Sequence, residues 1–245
     1  FEFAPQMDWV KRPQALSEAL IEKLYAAVNT RMQADVPVGV FLSGGIDSSS
    51  VASLAMTASK SQNVKTYSIG FEDESFDETA YSSDMAAVLG TDHTNEQLTA
   101  AGCLELLDDI YTHLDEPMAD GSLVPSFLMC RLARNQATVA LGGDGGDELF
   151  GGYHKFASAD SNWNEIRNQL INDMQMTELR RLDLASMAHS VEVRCPFLDI
   201  KIRNFAESLG FEDLYEGEVN KVILRKSFED FLRRCFSKSG SFIFY

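Results

Sequence analysis

Apolar residues recur along this chain at two spacings, and each change of spacing marks a change of element. Leu16, Leu20, Ile21, Leu24, Val28 and Met32 fall at helical spacing, which predicts an amphipathic helix over residues 13–34. The run VGVF at 38–41 reads as a buried strand, and a helix over 46–59 follows it. VKTYSIGF at 64–71 predicts a second strand, so strand, glycine-rich loop, helix and strand form a right-handed βαβ unit. An acidic turn at 71–79 then leads to a helix over 80–89, a strand over 93–98 and a helix over 101–113. The loop DEPMADGS precedes a helix over 124–134 and a strand over 137–141. From Thr177 the pattern is mainly helical, with Leu179, Leu182, Leu184 and Met187 on one face. SVEVRCPFLD at 190–199 interrupts it, and NKVILRKSFEDF at 220–231 predicts one more helix. Alternation of this kind implies an α/β fold, a doubly wound parallel sheet with its site at the carboxyl ends of the strands.

Composition narrows the picture. The chain has 245 residues, 45% of them hydrophobic and 24% charged, enough for a packed core in one α/β domain or two small ones. There are 21 Lys and Arg against 37 Asp and Glu, a formal charge of -16 that argues against binding a nucleic-acid backbone. Cys103, Cys130, Cys195 and Cys235 lie far apart in apolar segments, as reduced core thiols of a cytoplasmic protein would. No apolar run is long enough to span a membrane, and the opening FEFAPQMDW lacks the order of a signal peptide. That opening reads as though cut from a longer chain.

Two glycine-rich loops carry the chemistry. SGGIDSS at 43–49 follows the first strand and opens a helix. Gly44 and Gly45 allow backbone to approach a ligand, the helix end attracts an anion, and Ser43, Ser48 and Ser49 add hydroxyl donors. No Gly-Lys-Ser/Thr follows, so this is not a Walker A loop. Asp47 puts a carboxylate where an anion should bind, which implies Mg²⁺ bridging to pyrophosphate oxygens. The alternative is a serine-rich turn that caps a helix. GGDGGDELFGGY at 142–153 places Asp144, Asp147 and Glu148 among three glycine pairs. Asp147 is expected to share a metal with Asp47, and Asp144 to meet the substrate or its ammonia. Tight turns or a calcium loop are the alternatives, though the full EF-hand pattern is missing. Glu192, Arg194 and Asp199 read as a buried ion-pair corner, and Lys221 taken alone as a surface lysine.

SGGIDSS resembles the pyrophosphate loop of the PP-loop ATP pyrophosphatase superfamily. Together with GGDGGDELFGGY, SVEVRCPFLD and EGEVNKVILR, it resembles the synthetase domain of glutamine-dependent asparagine synthetases. The resemblance implies a sheet core over 1–155 and a helical C-terminal part over 156–245, with the glutaminase domain that opens such enzymes not present in this chain. It implies that ATP and a carboxylate, aspartate in the family, form an acyl-adenylate and pyrophosphate, and that ammonia then gives asparagine and AMP. By the same match Lys221 contacts the phosphates, Asp144 handles ammonia, and Phe41, Ile69, Gly142 and Gly143 contact the adenosine. Ammonia would come from a glutaminase domain or a partner, and a homodimer is allowed for. Amide synthesis on a sugar acid, peptide or β-lactam precursor is the alternative within this chemistry, and a non-catalytic nucleotide-binding module the one outside it. The spacer over 153–177 is shorter than in the family, and FSKSGSFIFY replaces the basic segment after the lysine helix.

Overall fold

In the computed structural model, residues 12–59, 63–157 and 162–236 are described. The strands are β1 (Val38–Phe41), β2 (Lys65–Phe71), β3 (Asp92–Leu98), β4 (Val139–Leu141) and β5 (Glu192–Arg194). Among the described residues they form one sheet in the order β3-β2-β1-β4-β5, and every pairing is parallel. The helices of the sheet region are α1 (Arg12–Arg31), α2 (Ile46–Ala58), α3 (Thr79–Leu89), α4 (Ala100–His113), α5 (Leu123–Arg134) and α6 (Gly146–Phe150). Beyond it come α7 (Trp163–Asp173), α8 (Glu178–Ala188), α9 (Ile200–Glu207), α10 (Phe211–Leu214) and α11 (Val222–Phe236).

Helices cover both faces of the sheet, because both faces are apolar. On one side Val40 and Leu42 meet Leu20, Leu24 and Val28 of α1, Val51 and Leu54 of α2, and Leu224 and Phe228 of α11. On the other, Tyr67 and Ile69 pack with Leu106 and Ile110 of α4 and Phe127 and Leu128 of α5. Alternation along β2 sorts its residues between the faces: Thr66 and Ser68, on either side of Tyr67 in the strand, bond instead to His93 on β3. The doubly wound parallel sheet expected from the alternation of elements is therefore present.

Several boundaries differ for local reasons. The strand expected over 137–141 starts later, since the Ala137 N–H still donates to Ala133 O at 2.8 Å and so belongs to the end of α5. The last helix begins at Val222 because Lys221 has φ 51, outside the helical region. Residues 190–199 do more than interrupt helices: Glu192–Arg194 joins the sheet edge as β5 beside β4. α7 was likewise not foreseen.

The ion-pair corner needs correction. Glu192 bonds Arg194 at 2.7 Å, but its side chain is 59% exposed. The Arg194 guanidinium also donates to the carbonyls of Arg31 and Gln33, while Asp199 pairs with Arg31 at 3.0 Å. These contacts tie β5 and the start of α9 to the end of α1, rather than forming one buried triad. Cys103, Cys130 and Cys195 are free thiols, with Cys130 buried and the other two partly so. The Cys235 side chain, the opening segment and the tail beyond Phe236 lie outside the described residues, as do residues 60–62 and 158–161. No described helix is long and apolar enough to cross a membrane.

Candidate active site

β1 has β2 on one side and β4 on the other, so the connections leaving β1 and β4 part in opposite directions. A crevice opens at the carboxyl ends of two such strands, where α/β sheets bind ligands. Both glycine-rich loops start there, because the register aligns Val40 with Leu141. Gly44 has φ +88, and a Cβ on it would lie 2.6 Å from the Tyr81 Cβ of α3, so only glycine fits this turn. A Cβ on Gly146 would overlap the Asp47 carboxylate, and one on Gly152 would overlap both Asp147 Oδ1 and Lys221 Cε. These glycines give three charged groups from distant parts of the chain room to meet.

Lys221 Nζ lies 2.5 Å from Asp47 Oδ2 and 2.7 Å from Asp147 Oδ1. The surface reading of Lys221 is therefore wrong: the residue is 7% exposed and bridges both carboxylates. Its left-handed backbone costs about 1 to 3 kcal/mol in a non-glycine residue. Burial pushes the Asp47 carboxyl up to about 6, with Lys221 opposing and Asp147 reinforcing the rise. Burial works against the Lys221 ammonium as well, but the Asp47 and Asp147 carboxylates outweigh it and raise its pKa. The lysine is thus held charged.

Asp47 Oδ1 is buried with no hydrogen-bond partner. An orphaned carboxylate oxygen beside a second carboxylate fits a hard divalent cation, which needs only one or two protein carboxylates when phosphate oxygens complete its shell. Among the described residues no group of three or more His, Cys, Asp or Glu is placed to hold a metal ion.

The first loop is cross-braced by its own serines. Ser43 N donates to Ser48 Oγ at 3.1 Å, the Ser43 and Ser48 hydroxyls are 3.0 Å apart, and Gly45 N donates to Ser43 Oγ at 3.3 Å. The residue at the N-cap of α2 is Gly45, with no side-chain cap, so the capping alternative for the serines and Asp47 has no support. Ser49 is fully buried and its hydroxyl has no partner, unlike Ser43, which faces the crevice. In the second loop Gly143 lies against Asp47 and Ser48, and Gly142 against Val193 of β5. Glu148 is buried and accepts from the Tyr153 hydroxyl at 2.6 Å, while Asp144 turns toward Arg181. The acids of GGDGGDELFGGY thus have separate partners: Arg181 for Asp144, Lys221 for Asp147 and Tyr153 for Glu148.

A cavity of about 240 Å³ adjoins the loops, with Phe41, Ser43, Ile69 and Asp144 of the expected residues in its wall. Gly142 and Gly143 are not among its lining residues. Burial raises the Asp144 carboxyl, and Arg181, 3.8 Å away, opposes the rise. Arg181, itself bonded to Asp120 at 2.9 Å, also lines the cavity, as do Ser68 and Ser82. Sequence reasoning missed these three. Nothing in ELRRLD sets Arg181 apart from any helix-surface arginine; only the packing of α8 on α5 brings it here.

Residues 19–173 and 164–236 match the profile of the asparagine synthase family. The chain belongs to that family. Its relatives include asparagine synthetase [glutamine-hydrolyzing] 1 of Bacillus subtilis, 41% identical over 54% of this chain and 21% of that protein. Asparagine synthetase [glutamine-hydrolyzing] 1 of Saccharomyces cerevisiae is 30% identical over 86% of this chain and 44% of its own length. The root asparagine synthetase of Pisum sativum is 31% identical, over 86% and 39%. The chain thus spans less than half the length of these family members. The family match covers both glycine-rich loops and Lys221, and the parallel sheet with its helical extension is the PP-loop ATP pyrophosphatase architecture expected of the family.

Proposed function

We propose that this chain is the synthetase part of an asparagine synthase-type enzyme, an ATP-dependent ligase that adenylates the side-chain carboxylate of aspartate and transfers ammonia to it. The observation that carries this reading is the bridging of Asp47 and Asp147 by Lys221 beside a glycine loop at the switch point of the sheet. A carboxylate oxygen of the acceptor would attack the α-phosphorus, the bond to the β-phosphate oxygen would break, and pyrophosphate would leave. The Ser43 hydroxyl and the Lys221 ammonium would supply donors for the charge that develops on the phosphates. Mg²⁺ held by Asp47 and Asp147 would neutralise further charge on the leaving pyrophosphate.

In the second half, ammonia attacks the activated carbonyl, AMP leaves and a proton must be taken from nitrogen. Asp144 suits that step, since burial makes its carboxylate a better base than one in water. Phe41 and Ile69 offer apolar wall to the adenosine. The relatives named above are called glutamine-hydrolyzing, so the ammonia used here would come from glutamine. The test is exchange of labelled pyrophosphate into ATP. It should require aspartate and disappear in Asp47→Asn; exchange that runs without aspartate would contradict the proposed acceptor.

A further inference from the structure

Asn220, next to the buried lysine, makes three hydrogen bonds that no feature of the sequence announces. Its Nδ2 donates to Gly152 O at 2.9 Å, its Oδ1 accepts from Arg225 Nη2 at 3.2 Å, and its main-chain carbonyl accepts from Arg225 Nε at 3.1 Å. A guanidinium can only donate, so Arg225 fixes which end of the Asn220 amide points where and leaves the NH₂ for Gly152. Arg225 is anchored in turn, its own N–H donating to Lys221 O at 2.9 Å in the first turn of α11.

Gly152 is the glycine whose missing side chain makes room for Asp147 and Lys221, and its N–H bonds Asp147 O at 2.9 Å. The contacts therefore close a ring. It runs from Lys221 Nζ to Asp147, through the turn to Gly152, across to Asn220 and back to Lys221. A ring of this kind over-determines a backbone conformation that lysine disfavours, φ 51, and leaves the ammonium one place to stand.

We propose that Asn220 and Arg225 are positioning residues that lock Lys221 between Asp47 and Asp147 for phosphate chemistry. The inference rests on the ligase reading for what the lysine does, but not for where it is held. Loss of the Asn220 to Gly152 bond frees the Lys221 backbone and lets the ammonium leave its slot toward water.

The experiment compares the intact protein with Asn220→Ala, Asn220→Asp and Arg225→Ala by two readouts. The first is aspartate-dependent pyrophosphate exchange, where misplacement by about 1 Å costs up to about 100-fold. The expected result is a loss of that order in kcat for Asn220→Ala, with the KM for ATP nearly unchanged. Asn220→Asp keeps the shape and the acceptor for Arg225 but cannot donate to Gly152, so it should match Asn220→Ala while melting like the parent. The second readout needs no catalysis: acetylation of Lys221 by an amine-reactive reagent, mapped by mass spectrometry relative to the exposed Lys226. It should be slow in the parent and clearly faster in all three variants. Variants with parent-like kcat and parent-like Lys221 labelling overturn the inference, as does labelling that rises equally at Lys221 and Lys226. A parent protein without exchange but with protected Lys221, released in the variants, upholds the positioning role and removes the ligase reading instead.

Discussion

At the scale of single residues, Lys221 is a poor choice for stability on every count. It carries positive charge at the N-terminal end of α11, where the helix dipole disfavours it. It has a left-handed backbone and is shut away from water. Two carboxylates at hydrogen-bond distance offset these costs, and that combination has its use in a site that must present a cation to phosphate. Asp47 gives the arrangement a pH signature. Its carboxyl is raised from 3.8 to about 6 by burial, so the native state keeps a proton that the unfolded chain has lost between those values. Stability from this group is full below pH 3.8 and lost as pH rises through about 6. Function runs the other way, since phosphate and cation chemistry need the ionised form. Measured without Mg²⁺, the Asp47 contribution to the unfolding midpoint is expected to fade as pH rises through about 6, and a midpoint in which Asp47→Asn removes no such pH dependence would contradict the assignment. Asp47, Asp147 and Asp144 were legible in the sequence because their loops combine glycines and carboxylates that no core or surface requires. Lys221 was legible only through the family motif. Arg181 and Asn220 were not legible, since Asp120 and Asp144, which Arg181 meets, and Gly152, which Asn220 meets, lie far away in the chain.

At the scale of elements, the two glycine loops do different jobs, and substitution should separate them. Gly44→Ala meets main-chain and Cβ atoms of Tyr81 and Ser82 and demands φ +88, so it should destabilise the whole fold. The strain alone is worth about 1 to 3 kcal/mol, read as a lower midpoint of denaturant unfolding. Gly152→Ala meets side-chain atoms first, the Asp147 carboxylate and Lys221 Cε, rather than main chain. It should leave the unfolding midpoint close to the parent's and abolish exchange, because it breaks the Lys221 bridge rather than the fold. Apolar runs such as VGVF and YSIGF made β1 and β2 readable without coordinates. β5 was not readable: Glu-Val-Arg is too short to show a period, and it becomes a strand only because β4 leaves an edge for it. α7 escaped for a similar reason, since its core contacts are with α6 and its buried Arg167 bonds Ala206 O of α9.

At the scale of the molecule, the helical extension is part of the machinery of the sheet. α11 carries Leu224 and Phe228 into the same core as α1 and α2, and this packing delivers Lys221 to the carboxyl ends of the strands. Phe228→Ala should therefore destabilise the fold by about 3 to 5 kcal/mol in chemical denaturation and weaken exchange through the same loosening. A change confined to stability, with exchange per folded molecule intact, would mean that α11 merely covers the sheet. With a net charge of -16, the protein would have to draw an anionic ligand in at one prepared point. That point is where Asp47, Asp147 and Lys221 converge, a geometry suited to releasing pyrophosphate as a unit. The most direct measurement is phosphorus NMR of the products when the protein is given ATP, Mg²⁺, aspartate and ammonium. The account predicts AMP and pyrophosphate in equal amounts, formed together with asparagine. ADP and inorganic phosphate as the products would contradict it.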